Sequence, residues 1–197
     1  TALFGSWDVF PYIVNTQRSK VQVNAGFMPV ADDLFADAAL LNALQTEIPS
    51  PWHNVRFDSF TYRFAKAYML AKKPRLLVIS LGETDDFAHD GHYDAYLKSA
   101  KQSDAFLKDL WQTIQSTAGY KNNTTLIVTT DHGRGSHASD WQHHSSRRAL
   151  LELNLGADVF PNGIVGSEHI WLAAIGPAIK NNGLIKTKNE LKQAQVA

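Results

Sequence analysis

Two short stretches bring carboxylates and imidazoles together at spacings that suit a shared ligand. Asp85 and His89 stand four residues apart in Gly82-Glu83-Thr84-Asp85-Asp86-Phe87-Ala88-His89, and Asp131 and His132 are adjacent in Asp131-His132-Gly133-Arg134-Gly135. One helical turn puts residues i and i+4 on one face, so Asp85 and His89 would present a carboxylate oxygen and an imidazole nitrogen side by side, as paired metal ligands require. At a strand end the chain turns, and Asp131 and His132 can be aimed into one crevice, with Gly133 and Gly135 permitting the tight turn. Six of the eight histidines (His89, His92, His132, His137, His143 and His144) fall between positions 89 and 144. Carboxylate and imidazole ligands without sulfur suit zinc, with manganese or iron as alternatives. Two such pairs suggest two ions.

Each pair alone also has a plain structural reading. Asp-His-Gly occurs in ordinary turns, and Asp85 to His89 reads equally as a helix cap followed by a polar first turn. Their recurrence after two core strands favours the metal reading. Asp90, His92 and Asp94 read as a solvated helix start, and Trp111 and Trp141 as packing residues.

The elements that must position these residues are legible from hydrophobic patterning. Arg75 to Leu81, after Pro74, and Thr125 to Thr130 are nearly continuous apolar runs, and Ile170 to Ile175 before Gly176-Pro177 is a third. Such runs suit strands buried on both faces, as in a parallel sheet. Ala2-Leu3-Phe4 and Val21-Gln22-Val23 are shorter candidates. Apolar positions at three- and four-residue spacing predict helices from Tyr93 to near Gly119, from Asp33 to Ile48 and from Phe60 to Ala71. Strands alternating with helices imply an α/β fold with a mostly parallel sheet flanked by helices, whose ligands sit beyond the carboxyl ends of the strands. Both acid and histidine clusters occupy that position.

Composition narrows the function. The 197 residues are 44% hydrophobic, with 19 Lys+Arg against 19 Asp+Glu and no cysteine. A balanced charge supplies no general field for nucleic acid or an anionic membrane, so non-specific polyanion binding is disfavoured. Without cysteine there is no disulfide framework, thiolate zinc site or iron-sulfur cluster. No apolar run approaches the ~18 residues of a membrane helix and no signal segment is present. No Gly-x-Gly-x-x-Gly follows a strand, which leaves a Rossmann-type nucleotide binder without support. There is no repeat or linker, so residues 1–197 are expected to form one domain. The start at Thr1, running straight into Ala2-Leu3-Phe4, reads as a processed or truncated product.

The motifs in order resemble the C-terminal half of the alkaline phosphatase superfamily. They are Gly82-Glu83-Thr84-Asp85-Asp86-Phe87-Ala88-His89, then Thr129-Thr130-Asp131-His132-Gly133-Arg134-Gly135, then Asp140-Trp141 with histidines, then Ile170-Trp171-Leu172-Ala173-Ala174-Ile175-Gly176-Pro177. The likeness is greatest to the bacterial branch labelled phosphoglyceromutase of alkaline phosphatase type and to nucleotide pyrophosphatase-like phosphodiesterases. The opening Phe4-Gly5-Ser6-Trp7-Asp8-Val9-Phe10-Pro11-Tyr12 and Asn24-Ala25-Gly26 are similar to that branch too.

The resemblance implies an alkaline phosphatase-like fold and two divalent metal ions, with zinc ranked before manganese, acting on a small-molecule phosphoester. It places Asp85 and His89 on one metal with a later histidine, and Asp131 and His132 on the other. His144, three residues after Trp141 as in the family, ranks first for the later histidine, His143 second and His169 third; Ser145 departs from the Gly that usually follows. Glu83, Thr84 and Asp86 would orient the ligands, and Arg134 would pair with a phosphoryl oxygen or form a surface salt bridge. The family's Ser or Thr nucleophile lies upstream of the Gly-Ser-Trp-Asp segment, and no matching stretch occurs here. The chain is therefore expected to be a C-terminal fragment, inactive alone, from a metal-dependent phosphatase or phosphodiesterase. Ser6 and Asp8, after an apparent strand, are kept as an independent site. The alternatives are a phosphomutase on the same metal chemistry and a non-catalytic domain of the same fold; a sulfatase ranks lower. A bacterial, periplasmic or exported home follows by analogy alone.

Overall fold

A computed structural model describes residues 1–14, 21–154 and 156–185. The chain divides into two compact units, Thr1–Leu110 and Trp111–Ala197.

The first unit is built on a three-stranded parallel sheet of β1 (Ala2–Gly5), β2 (Gln22–Ala25) and β3 (Leu77–Ser80), in the order β2-β1-β3. Leu3 lies opposite both Val23 and Val78, which fixes the register across the sheet. Alternation along β1 sends its side chains to two cores. Ala2 and Phe4 join Phe35, Phe60 and Phe64 on one face, while Leu3 joins Val23 and Ala25 on the other. Helix α1 (Phe10–Val14) covers the second face through Phe10 and Val14. Helix α3 (Asp58–Lys72) covers the first, packing on β1 and β3, and α2 (Ala38–Glu47) packs on α3. Helices thus flank a parallel sheet, as the alternation of patterns implies.

Local chemistry sets the helix ends. Helix α3 stops where Lys73 turns left-handed (φ 47°) and donates its N–H to Met69 O, just before Pro74. Helix α4 (Glu83–His89) follows β3 through Gly82, and α5 (Tyr93–Ser116) follows α4. Tyr62 of α3 stacks on Phe106 of α5 with ring centroids 4.4 Å apart. Nearby, Lys66 and the Tyr62 hydroxyl both donate to the Asp109 carboxylate.

The second unit holds β4 (Leu126–Thr129) and β5 (Leu172–Ile175), paired antiparallel, and the short helix α6 (Arg147–Glu152). Ser146 caps α6 by accepting from Ala149 N at 3.2 Å. Among its described residues Ile114, Leu150 and Ile164 are buried. The apolar runs of β3, β4 and β5 suggest burial on both faces, yet Val78, Ile127 and Leu172 are 40 to 50% exposed. Val78 is level with Leu3, but the cluster on that face, Leu3, Val23 and Ala25 with Phe10 and Val14, includes no residue of β3; β4 and β5 pair only with each other among the described residues. No helix among the described residues is long and apolar enough to cross a membrane.

Candidate functional site

In the first unit the carboxyl end of β3 passes through Gly82 directly into α4, so the helix rises from the sheet edge where ligands of parallel sheets sit. Asp85 Oδ2 and His89 Nε2 lie 3.5 Å apart on one face of α4, both partly exposed. The i, i+4 geometry anticipated from spacing is therefore formed.

The neighbours are less uniform. Thr84 is half-buried. The Asp86 carboxyl is pushed up to about 6, chiefly by burial and then by the charge of Asp85. Glu83 turns inward, and its Oε1 accepts from the backbone N–H of Asp58 at 2.8 Å. Burial, followed by the charge of Asp58, pushes its carboxyl up to about 7.

Behind α4 lies a buried polar network for which sequence patterning gave no expectation. Asp58, 1% exposed, accepts from Ser6 Oγ at 2.6 Å, Gly82 N at 2.7 Å and Glu83 N at 3.1 Å. Burial drives its pKa up, while those three donors and the Arg56 guanidinium pull it back. Arg56, 0% exposed, donates from Nε to Thr61 Oγ1 at 2.8 Å and from Nη1 to Asn24 Oδ1 at 2.7 Å. Its pKa is lowered to about 9 by burial, against the opposing charge of Asp58. In the sequence Arg56 and Asp58 alternate with Val55 and Phe57, an ordinary half-exposed pattern that gives no sign of two buried charges.

The network corrects the idea of an independent site at Ser6 and Asp8. The Ser6 hydroxyl is 0% exposed and committed to Asp58 and to Thr61 Oγ1 at 2.8 Å, so it has no access to a substrate.

In the second unit Asp131 and His132 follow β4 as expected. Asp131 Oδ1 accepts from its neighbour's backbone N–H at 3.0 Å, and Oδ2 lies 3.6 Å from His132 Nε2. His132 Nδ1 lies 2.9 Å from Gly133 O. A carbonyl only accepts, so in that bond the ring donates from Nδ1. The ring of His144 stacks on that of His132 with centroids 3.7 Å apart and planes at 12°. The other late histidines are elsewhere: His143 packs against Phe160 at 5.5 Å, and the exposed His169 has Nε2 3.8 Å from Glu168 Oε1.

The loop after β4 owes its course to close backbone approach. Gly133 N donates to Ser167 O at 2.8 Å and Gly135 N to His143 O at 3.1 Å. A Cβ on Gly133 would run into the carbonyl oxygens of Gly166 and His169, and one on Gly135 into Asp140. Neither glycine is among those with positive φ. Their absent side chains, rather than an unusual conformation, are what the turn uses. Arg134 Nη1 donates to Gln142 O at 3.0 Å, which ties the guanidinium to the loop bearing His143 and His144.

In the first unit a carboxylate and an imidazole share one helix face; in the second a carboxylate neighbours one of two stacked imidazoles. Thr130 Oγ1, next to Asp131, is buried with no hydrogen-bond partner among the described residues, a group that a bound water or ligand oxygen would satisfy.

A family model described as type I phosphodiesterase / nucleotide pyrophosphatase matches residues 7–169. No curated protein and no solved structure matches the chain significantly.

Proposed function

The chain belongs to the type I phosphodiesterase / nucleotide pyrophosphatase family of the alkaline phosphatase superfamily, and from that membership we propose that it contributes the metal ligands of a two-metal phosphoester hydrolase. Asp85 and His89 are assigned to one ion, Asp131 and His132 to the other, and His144 as the additional histidine. Zinc is the first choice because the set is carboxylate and imidazole without thiolate, and manganese is the second. When bound, two such ions polarise phosphoryl oxygens and stabilise the attacking and leaving oxygens of an in-line displacement.

The residues of this chain do the holding and orienting. The Asp85 carboxylate and His89 ring are presented together by one helical turn. Gly133 O holds the His132 ring with Nε2 as the ligating nitrogen. Arg134, anchored through Gln142 O, is assigned to a phosphoryl oxygen, for which its planar fork of donors is suited. Glu83, Thr84 and Asp86 are assigned to orienting the ligands. No nucleophile is assigned.

The observation that carries this reading is the recurrence of one arrangement in both units: an acid and a histidine following the carboxyl end of a strand, with carboxylate oxygen and imidazole nitrogen 3.5 Å apart in the first and 3.6 Å in the second. Zinc and manganese titration of the chain and of its Asp85→Asn and Asp131→Asn variants tests it. Tight binding by the wild type that is lost in the variants is expected, and variants that bind like the wild type overturn it. Assay of the full-length protein separates the chemistries: net phosphate release marks a hydrolase, an isomeric phosphate without release a mutase, and no metal-dependent turnover a non-catalytic domain.

A further inference from the structure

Helix α4 is only seven residues long and has no side-chain cap of its own, because Gly82 occupies the capping position. Its first N–H groups are instead satisfied from the start of α3. Asp58 Oδ1 accepts from Gly82 N at 2.7 Å and Oδ2 from Glu83 N at 3.1 Å. The exchange is reciprocal, since Glu83 Oε1 accepts from Asp58 N at 2.8 Å. The first residue of each helix caps the other. Ser6 Oγ, at the end of β1, adds a third bond to the same carboxylate at 2.6 Å. Beyond the far end of α4, Trp52 Nε1 donates to Asp90 Oδ2 at 2.9 Å, and the Trp52 ring meets Phe87 edge-on at 4.7 Å.

These contacts grip one side of the helix. Glu83 and Phe87 are four apart and share a face; Asp85 and His89, each two residues further on, are rotated by roughly 200° to the opposite one. A helix this short has little stability of its own, so its rotation and height depend on its tertiary contacts.

We propose that Asp58 is a positioning residue for the Asp85 and His89 pair, fixing by its cap on α4 where those two side chains stand. The proposal rests on the reading of that pair as metal ligands. It requires a carboxylate: two oxygens serve three donors, and an amide would turn one acceptor into a donor facing a backbone N–H or the serine hydroxyl.

The test uses the whole chain and zinc. Asp58→Asn should weaken zinc binding by roughly 10- to 100-fold, as loss of a group supporting a ligand typically does, while the far-UV dichroism of the fold is retained. Leu41→Ala, which opens a cavity in the core of the same unit away from α4, is the control. It should lower the unfolding midpoint and leave zinc affinity unchanged. If Asp58→Asn binds zinc like the wild type while Asp85→Asn has lost it, the positioning role is overturned and the ligand assignment stands. If Asp85→Asn also binds like the wild type, the ligand assignment itself has failed. Should Asp58→Asn not fold, amide exchange in the wild type decides. Gly82 and Glu83 amides as protected as that of Ser6, which donates to Ser80 O, support the cap; exchange at the rate of exposed loop amides overturns it.

Discussion

Replacing Arg56 by methionine is the sharpest test of how the first unit holds together. The side chains are similar in length, so the change removes a charge and its bonds while largely keeping the volume. Two strong contacts go, to Thr61 Oγ1 at 2.8 Å and Asn24 Oδ1 at 2.7 Å, with two longer ones at 3.3 Å to Gln45 Oε1 and Asn24 O. Thr61 keeps Ser6 as a partner, whereas Asn24 Oδ1 is left facing methionine. Each buried polar atom so stranded costs about 1–3 kcal/mol. The Asp58 carboxylate also loses its buried positive neighbour. Against this, burial opposes the guanidinium charge, lowering its pKa to about 9, and that penalty disappears with the charge. Because breaking a buried ionic network by removing one partner costs about 3–5 kcal/mol, a net loss of roughly 3 kcal/mol is expected. With a urea m-value of about 1–3 kcal/mol/M, the midpoint of the transition should fall by roughly 1–3 M. Urea unfolding at pH 7, followed by tryptophan fluorescence and far-UV dichroism, measures it. Arg56→Lys should recover less than half of the loss, since an ammonium cannot reach Thr61 and Asn24 with separate planar donors. A midpoint for Arg56→Met at or above the wild-type value would refute the reasoning, showing that the buried charge costs more than its bonds return.

His144→Ala should lower zinc affinity at least tenfold as loss of a ligand, whereas His143→Ala, whose ring packs on Phe160, should leave it nearly unchanged; isothermal titration distinguishes them, and equal effects would unseat His144. Gly133→Ala forces a methyl group into the Gly166 and His169 carbonyls and should destabilise the loop by about 1–3 kcal/mol, seen as faster exchange of the Gly133 and His169 amides; unaltered exchange would mean that the loop adjusts freely. Asp109, which accepts from Lys66 and Tyr62, has its pKa held below the ordinary carboxylate value. Its stabilisation is therefore complete above the unfolded pKa of about 4 and lost as pH falls through the lower folded value. The urea midpoint of Asp109→Asn should thus lie below wild type at pH 7 and approach it toward pH 2; a gap independent of pH would sink that account.

What sequence alone determined here was local or short in range. The Asp85 and His89 pair is legible because four residues make one helical turn, and the Asp131-His132 pair because it abuts an apolar run long enough to be a core strand. The same patterning located the five strands among the described residues and the helices at 38–47, 58–72 and 93–116 to within a few residues. The short helices Phe10–Val14 and Arg147–Glu152 escaped it, since five or six residues carry too little periodicity to read. Strand partners escaped it too: an apolar run signals burial but not which strand lies alongside, so the antiparallel pairing of Leu126–Thr129 with Leu172–Ile175 had no local signature. Tertiary structure alone decided which polar residues are buried together. Ser6, Asn24, Arg56, Asp58, Thr61 and Glu83 come from four separate stretches of chain, and the hydrogen bonds joining them span up to 55 residues, between Ser6 and Thr61. A buried charge is tolerated only where the fold supplies its partners. Whether Asp58 is a surface acid or the cap of a ligand-bearing helix therefore depends on chain segments far from it in sequence.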